Sequence, residues 1–377
     1  MQSEYNAALP GLLHRLPEPP RKVAVLRASR IGDFLHTYPA LRSLRQALPA
    51  AEISLITLPM LADLAKRCPS VDRVIHFPGF PGLAEQLFDA RQTVEFFQKM
   101  VQEGFDLAVQ LQGSGVHSNP FVLLLGAAHT AGFIRTGDPL GLLDAALPLP
   151  ETGRESQRMM ALPAFLGAAP VEDRLEFPLW PADRHAADDL LSDCPEPWIG
   201  LHTMARDSTR RWPLERFAAA AQRLQSTLGG TVILIGEQFE RLTTGNALRQ
   251  SGVDFLNLAG MTSLPVTGAV IERLAVFVTN DTGPAHIAYA LNTPTVTVVG
   301  GGDLERYSPP PDCAAVVLAY PVPCRPCALA ECPIDNLCLN QISVDQVVTA
   351  ALELVRAKPS AVSLMRWLAG KEGEKHA

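Results

Sequence analysis

The chain has 377 residues, of which 47% are apolar, 19% charged and 6% aromatic, and its formal net charge is −7. That balance supports sizeable cores and excludes both a disordered chain and the basic footprint of a nucleic-acid-binding protein. Domains typically run to about 100–150 residues and single cores stop growing near 250–300, so two domains are expected.

Residues 1–21 carry Glu4, Pro10, Pro17 and the pair Pro19–Pro20 without a continuous apolar stretch, so they read as a disordered or surface-draped arm and not as a secretory signal. No run of about 18 apolar residues occurs, which predicts no membrane span and a cytoplasmic protein. From residue 22 onward, β-rich apolar runs alternate with amphipathic helical patterns, the mark of α/β units around parallel sheets. Strands are predicted at 22–27, 52–58, 71–76 and 105–112, with helices near 34–48, 83–102 and 117–126. A second series of strands follows at 198–203, 231–236, 253–258, 275–280 and 293–300, as though one plan were used twice. Pro178, Pro181, Pro195 and Pro197 punctuate the stretch between them, which predicts a hinge-like linker over 178–197. The expected divisions are an arm at 1–21, a first domain at 22–180, a second at 181–358 and a C-terminal helix and tail at 359–377. Helices are predicted near 343–357 and 359–370.

The most telling stretch is VFVTNDTGPAHIAYALNTPTVTVVGG at 276–301. A β-branched run breaks into Asn280, Asp281, Thr282 and Gly283, and Pro284 then opens an apolar helix. Such a helix start offers unpaired N–H groups and the positive end of a macrodipole, so the turn is suited to a phosphate. Thr282 supplies a hydroxyl, Gly283 permits close backbone approach, and His286 lies one turn inside the helix. The plainer alternative makes Asp281 a helix cap and His286 a core histidine. In the first half, Gly32 and Asp33 follow strand 22–27 and precede a helical pattern. Asp33 is either a helix cap or a carboxylate for proton transfer. Arg27 and Arg30 flank that turn, either as solvated surface groups or as partners for acidic parts of a ligand.

Cysteines number seven, and Cys324, Cys327, Cys332 and Cys338 form a CxxC knuckle followed by two more thiols. In a cytosolic chain this favours a tetrahedral thiolate site for structural zinc or iron over disulfides or free thiols. The chain has no DxD pair, no Walker loop and no HExxH, so a role for metal in catalysis is not expected.

These segments resemble the signatures of glycosyltransferase family nine, the ADP-heptose:lipopolysaccharide heptosyltransferases, over about residues 22–356. Gly32, Asp33, Leu35, His36, Thr37, Pro39, Ala40 and Leu41 match the family's GD-x-x-x-x-x-PAL pattern, and the 280–286 turn matches its (N/V)D(S/T)G…H motif. The resemblance implies a GT-B architecture, with two Rossmann-like doubly wound domains facing across a cleft. It also implies an inverting, metal-independent transfer of a sugar from a nucleotide-sugar donor, ADP-heptose in most of the family, to a lipopolysaccharide core or related glycan. Asp33 takes the place of the general base, and Asp281, Thr282, Gly283 and His286 that of the diphosphate turn. Arg210, before Trp212–Pro213, replaces the frequent basic residue of the donor loop, where Thr203, Ser208 and Thr209 add hydroxyls. Glu240 in GEQFE matches the ribose contact, with Glu237 as its close competitor, and Met261 replaces a frequent lysine near the base. Gln112 and His117 in LQGSGVHS and Arg135 in AGFIRTGDP are the candidate acceptor contacts, with Gln110 departing from the usual aspartate. The implied location is the cytoplasm, with peripheral contact at the cytoplasmic face of the inner membrane. A protein-modifying relative of the autotransporter type and a non-catalytic nucleotide-sugar module organised by the cysteines are the rival readings. Retention of both Asp33 and the NDTG turn speaks against the latter.

Overall fold

The computed structural model describes residues 10–83, 85–139, 141–327 and 329–357 and the backbone of 364–367. The chain forms two compact units, divided between Pro178 and Leu179.

In the first unit the strands are β1 (Lys22–Leu26), β2 (Glu52–Thr57), β3 (Arg73–His76), β4 (Leu107–Gln110), β5 (His129–Ile134) and β6 (Ala145–Pro148). They pair in parallel in the order β3-β2-β1-β4-β5-β6. Parallel sheets are covered on both faces, and the near-continuous apolar character of β1, β2 and β4 follows from that. Ala24, Leu26, Ile56 and Ala108 pack with Phe77, Phe121 and Met100 on one face. Phe80, Phe96, Phe97 and Phe121 extend that layer through edge-to-face and tilted ring contacts.

The second unit contains β7 (Trp198–His202), β8 (Thr231–Leu234), β9 (Phe255–Asn257), β10 (Val276–Asn280), β11 (Thr295–Val299), β12 (Ala315–Ala319) and β13 (Leu364–Trp367). Their order is β13-β12-β11-β10-β7-β8-β9, again wholly parallel. Counted from β7, this is the same winding as in the first unit with one more strand at the edge. Both sheets are therefore Rossmann-like, the two-unit composition of the GT-B class. In each the strand order reverses beside the first strand, between β1 and β4 and between β7 and β10. Ligands of such sheets sit at that switch point, outside the carboxyl ends of the strands.

All nine strands predicted from the sequence are present within a few residues of the expected ends. Four were not anticipated. β5 contains Gly132 and β6 is four residues ending at Pro148, whereas β12 and β13 lie beside segments read as cysteine loop and tail. The helix expected at 34–48 is two helices, Ile31–Leu35 and Tyr38–Ala47, and that expected at 83–102 begins only at Ala90, where Asp89 accepts from the Gln92 N–H as its cap. The stretch 178–197 is not a plain linker. Pro181–Leu191 forms a helix with proline in its first turn, Asp183 reaching back to the Trp180 N–H, and Ala187 and Leu191 buried. The C-terminal helix expected at 359–370 is contradicted at Leu364–Trp367, which pairs as β13 with β12; its remaining residues lie outside those described. Residues 1–9 of the predicted arm also lie outside them. The rest of the arm is docked: Leu12 is buried, the Gly11 N–H donates to the Phe165 carbonyl at 2.8 Å, and His14 bonds the Gly167 carbonyl.

Candidate functional site

In the first unit, Asp33, Gln112 and Arg135 follow β1, β4 and β5, three adjacent strands, so the fold gathers them at one edge of the sheet. Asp33 is the third residue of the helix Ile31–Leu35, whose cap position is Arg30, so it is not the helix cap. Gly32 is helical and serves no left-handed turn. The Asp33 side chain is 33% exposed, with Oδ1 3.7 Å from the Arg27 guanidinium. Its backbone carbonyl accepts from the Thr37 hydroxyl at 3.0 Å and from Arg27 Nη2 at 2.8 Å. Arg27 is not a solvated surface group but a buried one, and it also donates to the Leu111 carbonyl and to Glu155. Arg30 is exposed and donates to Glu85 at 2.6 Å, which ties the loop before Ala90 to the Asp33 turn.

Gln110, where the family pattern has aspartate, is buried and bonds Asn119 and the Phe133 carbonyl, while its side-chain oxygen accepts the Gln112 N–H. It shapes the loop rather than facing a ligand. Gln112 Oε1 is buried without a hydrogen-bond partner. His117 precedes the helix Ser118–Leu123 and has Gly82 pressed on its ring: a β-carbon there would come within 2.2 Å of Nδ1. Arg135 lies on an exposed loop, 3.3 Å from Asp138.

The second unit assembles the donor candidates in the same way. Thr203 follows β7, Glu240 begins the helix after β8, and Asp281 and Thr282 follow β10. Thr282, not Asp281, is the cap position of the helix Gly283–Leu291, and Pro284 lies in its first turn. The Thr282 hydroxyl is within 3.2 Å of His202 Nδ1 and donates to the Asn280 carbonyl at 3.3 Å, so it is engaged within the protein. Asp281 is buried between two basic groups, 3.8 Å from Arg210 Nη1 and 3.9 Å from His286 Nε2, and its Oδ2 has no hydrogen-bond partner. Gly302 closes over it, since a β-carbon at that position would stand 2.2 Å from Oδ2. The carboxylate is thus placed to orient Arg210 and His286, whereas the exposed part of Arg210 and the helix start hold the charge an anion would meet. His286 lies edge-on to Tyr289 and Tyr307.

Two neighbouring groups were not anticipated. Asn280 donates to the Thr203 carbonyl at 2.7 Å and accepts the Trp212 N–H at 3.0 Å, locking the Arg210 loop to the end of β10. His202 is buried at the end of β7, and burial pushes its imidazole down to about 4. It lies 3.8 Å from Glu240, a carboxyl that burial pushes up to about 7 even though the Glu237 and Met204 N–H groups and the Thr203 hydroxyl donate to it. Glu240 is thus buried and engaged within the protein, and Glu237 contributes its backbone N–H to it. Thr203 shares a 2.7 Å hydroxyl contact with Thr244. The signal for Asn280 was its place before Asp281; nothing local marked His202.

The cysteine segment does not lie apart from this region. The Ser208 N–H and hydroxyl donate to the Ala330 carbonyl and the Thr209 hydroxyl to that of Leu329, so neither hydroxyl is a free donor. The Cys327 N–H donates to Gly301 at 2.7 Å, and Arg325 donates to the carbonyls of Val299, Gly300 and Tyr320. The zinc or iron site expected at Cys324, Cys327, Cys332 and Cys338 is not shown: among the described residues no group of three or more His, Cys, Asp or Glu side chains is placed to hold a metal ion. Cys324 is exposed, Cys338 is buried in the short helix Leu337–Asn340, and Cys327 Sγ accepts the Leu329 N–H at 3.4 Å. Backbone and side-chain hydrogen bonds tie the segment to the two donor loops. Among the described residues no helix is long and apolar enough to cross a membrane.

The pattern of Glycosyltransferase family 9 (heptosyltransferase) matches residues 93–338. The lipopolysaccharide heptosyltransferase 2 of Escherichia coli K12 is 25% identical over 304 residues, 77% of this chain and 85% of that protein. A solved family 9 glycosyltransferase from Veillonella parvula superposes with a TM-score of 0.76 at 19% identity, covering 90% of this chain and 98% of its own. An Escherichia coli heptosyltransferase solved with ADP-2-deoxy-2-fluoro heptose gives 0.66 at 21% identity, covering 88% and 99%.

Proposed function

This chain belongs to glycosyltransferase family 9, the heptosyltransferases, and from that premise we propose that it transfers heptose from ADP-heptose to a lipopolysaccharide core or related glycan, with inversion and without a catalytic metal. The first unit, which ends at Pro178, receives the acceptor, and the second, from Leu179 on, the nucleotide sugar. The acceptor hydroxyl attacks the anomeric carbon, its proton passes to Asp33, and the bond from that carbon to the diphosphate oxygen breaks. Charge developing on the leaving diphosphate is met by Arg210, His286 and the start of the helix Gly283–Leu291. Glu240 takes the ribose, with Thr203 holding the glutamate and not the ligand, while Gln112, His117 and Arg135 contact the acceptor. Such an enzyme would meet a glycolipid acceptor at the cytoplasmic face of the inner membrane.

The observation that carries this reading is the turn after β10, where Asp281 stands between Arg210 and His286 beside the start of an apolar helix. It is an anion site in a family whose relatives include lipopolysaccharide heptosyltransferases. Calorimetric titration with ADP, ADP-heptose and UDP tests the donor, and transfer from ADP-heptose to a heptose-free lipopolysaccharide core, with a protein acceptor in parallel, tests the reaction. No ADP affinity, or transfer only to protein, would overturn it.

A further inference from the structure

The buried charge cluster beneath Asp33 has no part in the mechanism just given, although it touches two segments that carry candidate site residues. Arg27 is 3% exposed, yet both terminal nitrogens of its guanidinium are engaged, Nη1 also reaching Met159 Sδ at 3.3 Å. Nη2 donates to the Asp33 carbonyl at 2.8 Å and to Glu155 Oε1 at 3.3 Å, and it faces Asp33 Oδ1 at 3.7 Å. Nη1 donates at 2.5 Å to the carbonyl of Leu111, the residue before Gln112. Glu155, 1% exposed, opens the helix Glu155–Leu166 and accepts from Arg158 at 2.8 Å through its other oxygen. Arg158 in turn donates to the Pro150 carbonyl at 2.6 Å.

A buried arginine–glutamate–arginine set is costly to desolvate and is seldom the most stable filling for a core. Here its geometry has a use that an apolar filling would lack. The planar fork of Arg27 reaches the Asp33 turn and the Gln112 loop at once, and Glu155, itself held by Arg158, fixes the fork from behind. Asp33 remains one-third exposed, with Oδ1 at ion-pair distance from Arg27.

We propose that Arg27, locked by Glu155 and Arg158, is the positioning residue that sets the orientation of the Asp33 carboxylate and its register with the Gln112 loop. The proposal rests on Asp33 being the base. Arg27 itself touches neither substrate, and its effect on the reaction passes through Asp33. Lysine in its place keeps one charge but cannot reach the Asp33 carbonyl, the Leu111 carbonyl and Glu155 together.

The test measures transfer from ADP-heptose to a heptose-free lipopolysaccharide core with the full chain. For Arg27→Lys, kcat should fall about tenfold, with the KM for ADP-heptose and the calorimetric affinity for ADP within twofold of the parent, since misplacing a reacting group costs rate before it costs donor binding. The double variant Arg27→Met/Glu155→Gln, which removes both charges of the pair, should lose about 30-fold or more. The deciding measurement is Arg27→Lys in an Asp33→Asn background: a residue that acts through Asp33 adds less than about twofold once the carboxylate is gone. A full further tenfold loss there, or an unchanged kcat in Arg27→Lys, overturns the proposal while leaving Asp33 as the base. If Asp33→Asn alone turns over like the parent, the base assignment fails and the proposal with it. Should the double variant not fold, Arg27→Lys and its Asp33→Asn combination decide.

Discussion

Replacing Glu240 by glutamine should reveal a pH dependence that the parent protein hides. Burial raises the Glu240 carboxyl from its ordinary 4.5 to about 7, so between those values the folded chain holds a proton that the unfolded chain has lost. Its contribution to stability is present below pH 4.5 and is lost as pH rises through 7. At about 1.4 kcal/mol for each pH unit of displacement, the loss amounts to about 3 kcal/mol. His202, 3.8 Å away, is displaced by a similar amount in the other direction, from 6.5 to about 4. There the unfolded chain holds the extra proton, and stability rises by about 3 kcal/mol as pH climbs from 4 to 6.5. The two slopes cancel over most of pH 4.5–6.5, where the two groups together hold one proton in both the folded and the unfolded chain. Glu240→Gln removes one slope and leaves the other, so the second unit of the variant should gain about 3 kcal/mol between pH 4 and pH 7 while the parent stays nearly flat. Urea unfolding followed by tryptophan fluorescence isolates this unit, because all four tryptophans, at 180, 198, 212 and 367, lie beyond residue 178. Parallel stability curves for parent and variant across pH 4–8 would refute the reasoning. His202→Gln should show the mirror image, a fall of the same size between pH 4.5 and 7.

Arg210→Ala removes a charge-assisted contact worth about 1.5–3 kcal/mol, and calorimetry should show ADP affinity weakened between about tenfold and 150-fold. Gly302→Ala places a β-carbon against the buried Asp281 carboxylate, so both the melting temperature and ADP affinity should fall; an unchanged titration would mean that Asp281 does not orient the anion site. Arg325→Met strips donors from the carbonyls of Val299, Gly300 and Tyr320. Because these hold the cysteine segment to the loop over Asp281, ADP affinity should drop along with thermal stability, whereas a loss of stability alone would make the segment a remote brace.

The local sequence was enough to place nine of the thirteen strands among the described residues, because buried parallel strands are runs of β-branched and aliphatic residues that need no partner to be recognised. The Asp33 and Asp281 turns were legible for a related reason. Each follows such a strand directly, and a doubly wound sheet sends its strand ends to the ligand side. β5, β6, β12 and β13 were not legible. β6 and β13, four residues each, lie at sheet edges and are strands because a neighbour offers its hydrogen-bonding edge, whereas β5 and the apolar β12 lie inside their sheets.

What only the tertiary structure decided was the state of the polar side chains. Along the chain Arg27 reads as a surface group or a ligand partner and Glu240 as a ribose contact, but each is buried because segments far along the chain close over it: Leu111 and Glu155 for the first, Thr203 and Met204 for the second. Around the cysteines, whose spacing predicts a metal clip, Cys327 bonds Gly301 while Leu329 and Ala330 accept from Thr209 and Ser208. Periodicity and turn chemistry are properties of neighbouring residues, so they can be read along the chain. Burial, ion pairing and the titration that follows from them depend on which distant segments exclude water, and that is settled only when the sheets are wound.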